Sequence, residues 1–162
     1  MSGGLIAAAA RRWIGTPYLH QASLLGVGCD CLGLVRGVWR DCVGPEPAEA
    51  GPYAVDWAEA TRTDALLDAG LRYLLPRAGR AFFAGDVLLF RWRAGVPAKH
   101  LAIAVSDTAM VHAHESACVC EVAVSPWWAR RIAHVFAFPI VPTLSQGERV
   151  GAIGCPEGRP SF

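Results

Sequence analysis

The chain has 162 residues, 53% of them apolar and 18% charged, with 15 Lys plus Arg against 14 Asp plus Glu and a formal net charge of +1. That balance fits one globular domain able to bury about two-thirds of its unfolded surface, and it excludes an intrinsically disordered chain. A charge so near zero supplies no field that would hold nucleic acid or an anionic membrane surface, so neither kind of binding is expected.

The opening Met1-Ser2-Gly3-Gly4 carries no basic region, and the apolar run from Leu5 to Ala10 is too short for a signal peptide or a membrane span. Synthesis in the cytoplasm without membrane insertion is expected. The six cysteines, Cys29, Cys31, Cys42, Cys118, Cys120 and Cys155, are then expected to be free thiols, because a reducing compartment does not keep disulfides. Residues 5–14 read as a short alanine-rich helix stopped by Gly15 and Pro17, with Tyr18 on the irregular segment that follows. After a loop containing Gly26 and Gly28, Cys31, Leu34, Val35, Val38, Trp39 and Cys42 recur with helical spacing and define one amphipathic face. Asp30 stands at the N-cap of that helix, its carboxylate able to accept from the unpaired N–H groups of the first turn. Cys31 becomes the first helical residue, pointing inward.

Residues 43–52 form a proline-rich loop, residues 57–75 a second helical stretch, and residues 76–79 its end. From there the pattern alternates with period two and favours β-formers over residues 86–92, 101–105, 110–114, 118–124 and 135–138. Helices first and strands second predict an α+β fold, with the helices on one face of a five-stranded antiparallel meander. After Pro142 the glycines and prolines leave little apolar periodicity, so a domain over residues 1–141 and an extended tail over residues 142–162 are expected. The tail reads either as a frayed terminus or as a segment that attaches to a partner.

A cysteine in the first turn of a helix feels the positive end of the backbone dipole, and with a histidine partner its pKa can drop from about 8.5 to roughly 3.5–7.5. Most cysteines are inert packing, so the case for Cys31 needs a partner. His100, Ala102 and Ala104 alternate onto one strand face, and small alanines there would let the helix approach while presenting an imidazole to it. Twelve residues on, His112 falls in the next strand. Ser106-Asp107-Thr108 supply turn residues, and the midpoint of His100 and His112 is Ser106, so an odd-numbered turn would set the two imidazoles opposite one another, about 5 Å apart at Cβ. Nucleophile, base and orienting group then coincide in outline, as covalent catalysis requires. His114, on the same face as His112, is the alternative third residue.

Gly15-Thr16-Pro17-Tyr18 followed by Gly28-Cys29-Asp30-Cys31-Leu32-Gly33-Leu34-Val35 resembles the NlpC/P60 signature, in which a Pro-Tyr segment precedes Asp-Cys-Ser-Gly-Leu-Val. Gly85-Asp86-Val87-Leu88-Leu89-Phe90 is similar to the family's Gly-Asp-Leu strand, and the stretch from His100 to His112 to its two histidine segments. The resemblance implies a papain-like fold, Cys31 as nucleophile, His100 as base, His112 as orienter, Tyr18 beside the thiolate as oxyanion donor, and a peptidoglycan stem peptide as substrate. It implies no cofactor. Leu32 departs from the family's serine, and His20-Gln21-Ala22-Ser23 stands where cell-wall members often have Trp-Gly-Gly. Pro17-Tyr18-Leu19-His20-Gln21 and Val111-His112-Ala113-His114-Glu115 look most like the cell-wall peptidases of tailed phages and gene transfer agents. A cell-wall endopeptidase carried to the periplasm by a phage-like tail, with tail-tip or hub proteins as partners, follows as the expectation. A catalytically inactive adaptor domain of a tail tip is the alternative. The pairs Cys29/Cys31, His112/His114 and Cys118/Cys120 also invite a zinc reading, but structural zinc knuckles usually space their ligands by two to four residues, so no metal is expected.

Overall fold

The computed structural model of the protein describes residues 2–51 and 63–140. The first part of the expected helical stretch, 57–62, and the expected tail, 142–162, lie outside the described residues. Helix α1 spans Ser2–Arg12, α2 Cys31–Cys42 and α3 Ala65–Tyr73, with a single turn, α4, at Pro126–Ala129. The strands are β1 (Ser23–Leu24), β2 (Gly28–Cys29), β3 (Leu75–Pro76), β4 (Val87–Phe90), β5 (His100–Ala104), β6 (Ala109–Ala113), β7 (Val119–Ala123) and β8 (Ile132–Ala137). β1 and β2 form a small hairpin. The other six form one antiparallel sheet in the order β3-β8-β4-β5-β6-β7.

The α+β class matches the expectation, and the five expected strands are all present. The sheet nevertheless has six strands rather than five, and it is no simple meander. After α4 the chain returns as β8 to the edge of β4 that β5 leaves open, and the two residues of β3 add beyond it. Leu75 and Pro76, read from the sequence as the end of a helix, pair with Ala137 and Phe136 instead. Proline is tolerated there because β3 is an edge strand with no ladder on its outer side. Helix α1 begins before Leu5, because Gly3 lets its first turn press on residues 84–85. A Cβ at Gly3 would sit 2.1 Å from the Ala84 carbonyl oxygen.

The sheet is covered on both faces, a second departure from the expected one-sided layer. On one face α1, α2 and α3 bury Ile6, Ala10, Leu34, Val38 and Leu66 against Val87, Leu89, Leu101, Ile103, Val111 and Phe136. On the other, Leu88, Phe90, Ala102, Ala104, Met110, Ile132 and Val135 pack together under Trp128 of α4 and Phe82. Two-sided cover explains why all four residues of β4 are buried and apolar instead of alternating. It also corrects the expected docking of α2. The helix lies on the Leu101/Ile103/Val105 face, and the small alanines at 102 and 104 make room for Phe90 and Met110.

Candidate active site

Helix α2 starts as its sequence predicts. The Asp30 carboxylate accepts the Gly33 N–H at 2.7 Å through one oxygen and the Gln21 N–H at 2.8 Å through the other, with His20 Nδ1 3.6 Å away. A buried carboxylate with both oxygens engaged fixes the helix start and the loop before it together. Close packing makes this position unforgiving, since a Cβ at Gly33 would lie 1.9 Å from the Ala22 carbonyl oxygen.

The backbone N–H groups of Leu101, Leu32 and Cys31 itself pull the Cys31 thiol toward its charged form, which puts them beside the sulphur. The contact with Leu101 follows from the strand register. The β5–β6 ladder pairs Ile103 with Val111 and Ala104 with Met110, and Val105 donates to Ala109. In an unbroken ladder the next odd-numbered N–H on β5, that of Leu101, would meet β6. The pairing ends before it, and the thiol takes that N–H instead. Cys31 thus caps an open seam between the two strands that carry His100 and His112.

The two histidines share a face, the one with Phe90, Ala102 and Ala104 that lies opposite the face covered by α2, which corrects the expected presentation of His100 to that helix. They are bonded, His100 Nε2 to His112 Nδ1 at 3.0 Å. Three residues, Ser106 to Thr108, separate the closing pair Val105/Ala109, so the turn is odd-numbered as expected. The register centres the hairpin on Asp107 rather than Ser106, which makes His112 a diagonal neighbour of His100 instead of its direct opposite. His114, nearer to the opposite position, is exposed beyond the end of β6 and its Nδ1 contacts the Glu115 carbonyl oxygen at 2.7 Å. Its ring meets that of His112, with centroids 5.7 Å apart.

Tyr18 reaches the site because residues 15–18 run as an added strand between two others. Gly15 and Tyr18 donate to the Val119 and Ala117 carbonyls on one side, and on the other Cys29 donates to the Pro17 carbonyl and accepts from the Leu19 N–H. Burial and the neighbouring Cys31, Asp30 and Glu115 push the Tyr18 hydroxyl up to about 12, so it stays a proton donor throughout the neutral range. Asp86, the acid of the Gly-Asp strand, has a structural part. Its buried carboxylate accepts from Arg77 at 2.8 Å and from the Phe83 N–H at 2.9 Å, tying the β3 edge to β4.

The electrostatics differ from the expected activated thiolate. Burial, followed by the Asp30 charge, pushes the Cys31 thiol up to about 12, against the pull of the three N–H groups. Burial, with His112 and His114 adding to it, pushes His100 down to about 3, and burial and His114 push His112 down to about 4. At rest the thiol and the imidazole are therefore each neutral, because the low dielectric around each opposes its charged form. The described cysteines, Cys29, Cys31, Cys42, Cys118 and Cys120, are free thiols. Sequence reading missed the aromatic wall at the histidines, made by Phe90, Trp92 and Trp128. Its one local signal is Ser125-Pro126-Trp127-Trp128, a helix start with proline at its first position.

No family model matches the sequence, and no curated protein matches it. Among solved structures, the chain is similar to the NlpC/p60 domain of the peptidoglycan hydrolase SagA, with a TM-score of 0.57 and 25% identity over 84% of this chain and 98% of that one. It is also similar to an NlpC/P60 family protein from Bacillus cereus, at a TM-score of 0.58 and 19% identity over 83% of this chain and 39% of that one. NlpC2 from Trichomonas vaginalis gives a TM-score of 0.59 and 15% identity over 85% of this chain and 47% of that one. The chain spans nearly the whole of the first of these and less than half the length of the other two. Helices followed by an antiparallel sheet, with a cysteine at a helix start against two histidine strands, make this the mixed α+β fold of NlpC/P60 domains.

Proposed function

We propose that the protein is a cysteine hydrolase that cleaves an amide bond in a peptidoglycan stem peptide, with Cys31 as nucleophile, His100 as base, His112 as orienter and Tyr18 as a donor to the oxyanion. The observation that carries this reading is the open seam, where the Cys31 sulphur meets the N–H of Leu101, the residue beside a bonded His100–His112 couple. The likeness to the NlpC/p60 domain of the peptidoglycan hydrolase SagA supports the substrate class.

Because His100 Nε2 is engaged by His112, Nδ1 is the nitrogen left to take a proton. In the productive tautomer His100 donates from Nε2 to His112 Nδ1, which keeps the His100 Nδ1 lone pair free. The thiol proton moves to that nitrogen as sulphur attacks the carbonyl carbon, so the ion pair forms during the reaction instead of before it. The Tyr18 hydroxyl donates to the developing oxyanion, a contact typically worth about 3 kcal/mol in the transition state. Imidazolium protonates the leaving amine, and water, deprotonated by the same imidazole, hydrolyses the thioester and restores the thiol. Purified peptidoglycan incubated with the protein should release new stem-peptide amines and carboxylates by mass spectrometry, and a Cys31→Ala control should release none. Unchanged peptidoglycan with the wild type would reject the reading.

The finer reading is carriage by a phage-like tail to the periplasm and cell wall, with tail-tip or hub proteins as partners. It rests on the likeness of Pro17-Tyr18-Leu19-His20-Gln21 and Val111-His112-Ala113-His114-Glu115 to cell-wall peptidases of tailed phages and gene transfer agents. Truncation after Pro142 should leave Cys31 reactivity unchanged while abolishing co-purification with particles. Retained co-purification would remove the attachment role of residues 143–162.

A further inference from the structure

His100 is held by rings on several sides. The centroids of Phe90, Trp92 and Trp128 lie 5.9, 6.0 and 5.7 Å from that of its imidazole, with Trp92 nearly parallel to it at 19°. Trp128 also meets His112 edge-to-face, at 5.4 Å and 79°, so a single indole contacts both members of the hydrogen-bonded couple. Trp128 comes from α4, a four-residue turn that contributes no fully buried residue. An element that adds so little to the core is still braced from outside. Trp127 packs on Trp128 at 4.9 Å and on Trp92 at 5.9 Å, the Arg131 guanidinium lies 3.8 Å above the Trp127 ring, and Arg131 Nη1 donates to the Trp127 carbonyl oxygen at 2.9 Å. Trp92 and Trp127 remain 40% and 45% exposed, so the cluster lies at the surface end of the histidine couple.

We propose that Trp128, supported by Trp92, is a positioning residue for catalysis. It clamps the two rings in the orientation in which His100 Nε2 meets His112 Nδ1 and His100 Nδ1 stays clear of that bond, and it offers a π-face to the imidazolium that forms when the Cys31 proton arrives. The proton passes from Sγ to Nδ1, leaving thiolate and imidazolium with no net change in charge. A hydrocarbon wall would oppose that cation by desolvation alone, whereas an aromatic face attracts it through the ring quadrupole. Two aromatic contacts also restrict the imidazole rotamers, so the hydrogen bond to His112 need not hold the ring by itself. The inference rests on the hydrolase reading for its catalytic consequence and on ring geometry for the clamp.

Imidazole nitrogen NMR and steady-state kinetics on Trp128→Leu, Trp128→Phe and Trp92→Leu test the clamp. In the wild type His100 should show one fixed tautomer, with Nε2 protonated, and Trp128→Leu should show exchange-averaged nitrogens. Loss of one desolvated cation–π contact should lower kcat about tenfold in Trp128→Leu, with KM within about twofold. Trp128→Phe, which keeps a ring, should retain kcat within about threefold, and partly exposed Trp92→Leu should lose about threefold to fivefold. If Trp128→Leu fails to fold, Trp92→Leu carries the same comparison. A wild-type tautomer pattern in the folded leucine variants, a change in KM alone, or Phe performing no better than Leu would overturn the proposal. The spectra need no substrate. A wild type that leaves peptidoglycan intact would therefore reject the hydrolase reading while the tautomer pattern still decides the clamp.

Discussion

Cys31 combines three N–H groups that favour a thiolate with burial and an adjacent carboxylate that oppose it, and the opposing effects win. With the thiol pushed up to about 12 and His100 pushed down to about 3, neither group changes charge between pH 5 and 8. Iodoacetamide labelling of Cys31 should therefore climb steadily with pH across this range and into the alkaline region. A plateau beginning near pH 6 would instead reveal a preformed ion pair. Asp30 can be separated from burial by Asp30→Asn. Asparagine still accepts the Gly33 N–H, but its amide N–H₂ faces the Gln21 N–H donor that the carboxylate now accepts. Loss of that bond should lower stability by about 1–3 kcal/mol, and removal of the charge should speed labelling of Cys31 about threefold or more at pH 8. Unfolding in urea and labelling followed by peptide mass spectrometry read the two effects apart.

The helix that carries the nucleophile is set by contacts that glycine alone permits. A Cβ at Gly37 would come 1.9 Å from the Trp13 ring, which follows α1 and packs on α2 where a larger residue would hold it away. Gly37→Ala should cost about 1–3 kcal/mol in urea unfolding, the usual penalty for overpacking a buried contact. Gly33→Ala should cost at least as much. Its added methyl meets the Ala22 carbonyl oxygen, part of the backbone, and can be relieved only by moving the loop that Asp30 anchors. That displacement would also move Cys31 off the Leu101 N–H, so Gly33→Ala should lose activity out of proportion to its stability, whereas Gly37→Ala should lose stability first. Circular dichroism alongside activity assays distinguishes the two.

The buried neutral groups shape stability over the whole molecule. His100 and His112 fall from an ordinary 6.5 to about 3 and about 4, so below pH 6.5 the unfolded chain binds protons that the folded one refuses. Their contribution is present above pH 6.5 and is lost as pH falls toward 3, by an amount on the order of a few kcal/mol. The thiols of Cys31 and Cys29 rise from 9.0 to about 12, mainly through burial, so the unfolded chain loses protons first above pH 9 and stability falls again there. Urea midpoints should thus peak between about pH 6.5 and 9. Cys31→Ala should shrink the alkaline limb to the share of Cys29 and leave the acid limb in place. An acid limb that disappears in Cys31→Ala would contradict this assignment.

The sequence by itself determined the features that depend on neighbouring residues. Helix α2 and its Asp30 cap are legible because helical spacing and a carboxylate reaching three residues ahead are local properties. The common face of His100 and His112 is legible because strand alternation across an odd turn preserves parity. The tertiary structure decided the rest. Local pattern does not say which face of a sheet a helix will cover, and both faces of β4 and β5 are apolar, so α2 could dock on Leu101 and Ile103 while Phe90 and Met110 filled the space over Ala102 and Ala104. Turn composition does not separate a hairpin centred on Ser106 from one centred on Asp107, because packing of the buried faces selects the register. The open seam at Leu101, the return of β8 to β4 and the arrival of Trp128 over both histidines join residues far apart in the chain. The charge state of the pair is the furthest from the sequence. A helix start and a neighbouring histidine predict a thiolate, but how far water is excluded from Cys31 and His100 is a property of the assembled layers, and that exclusion keeps both groups neutral.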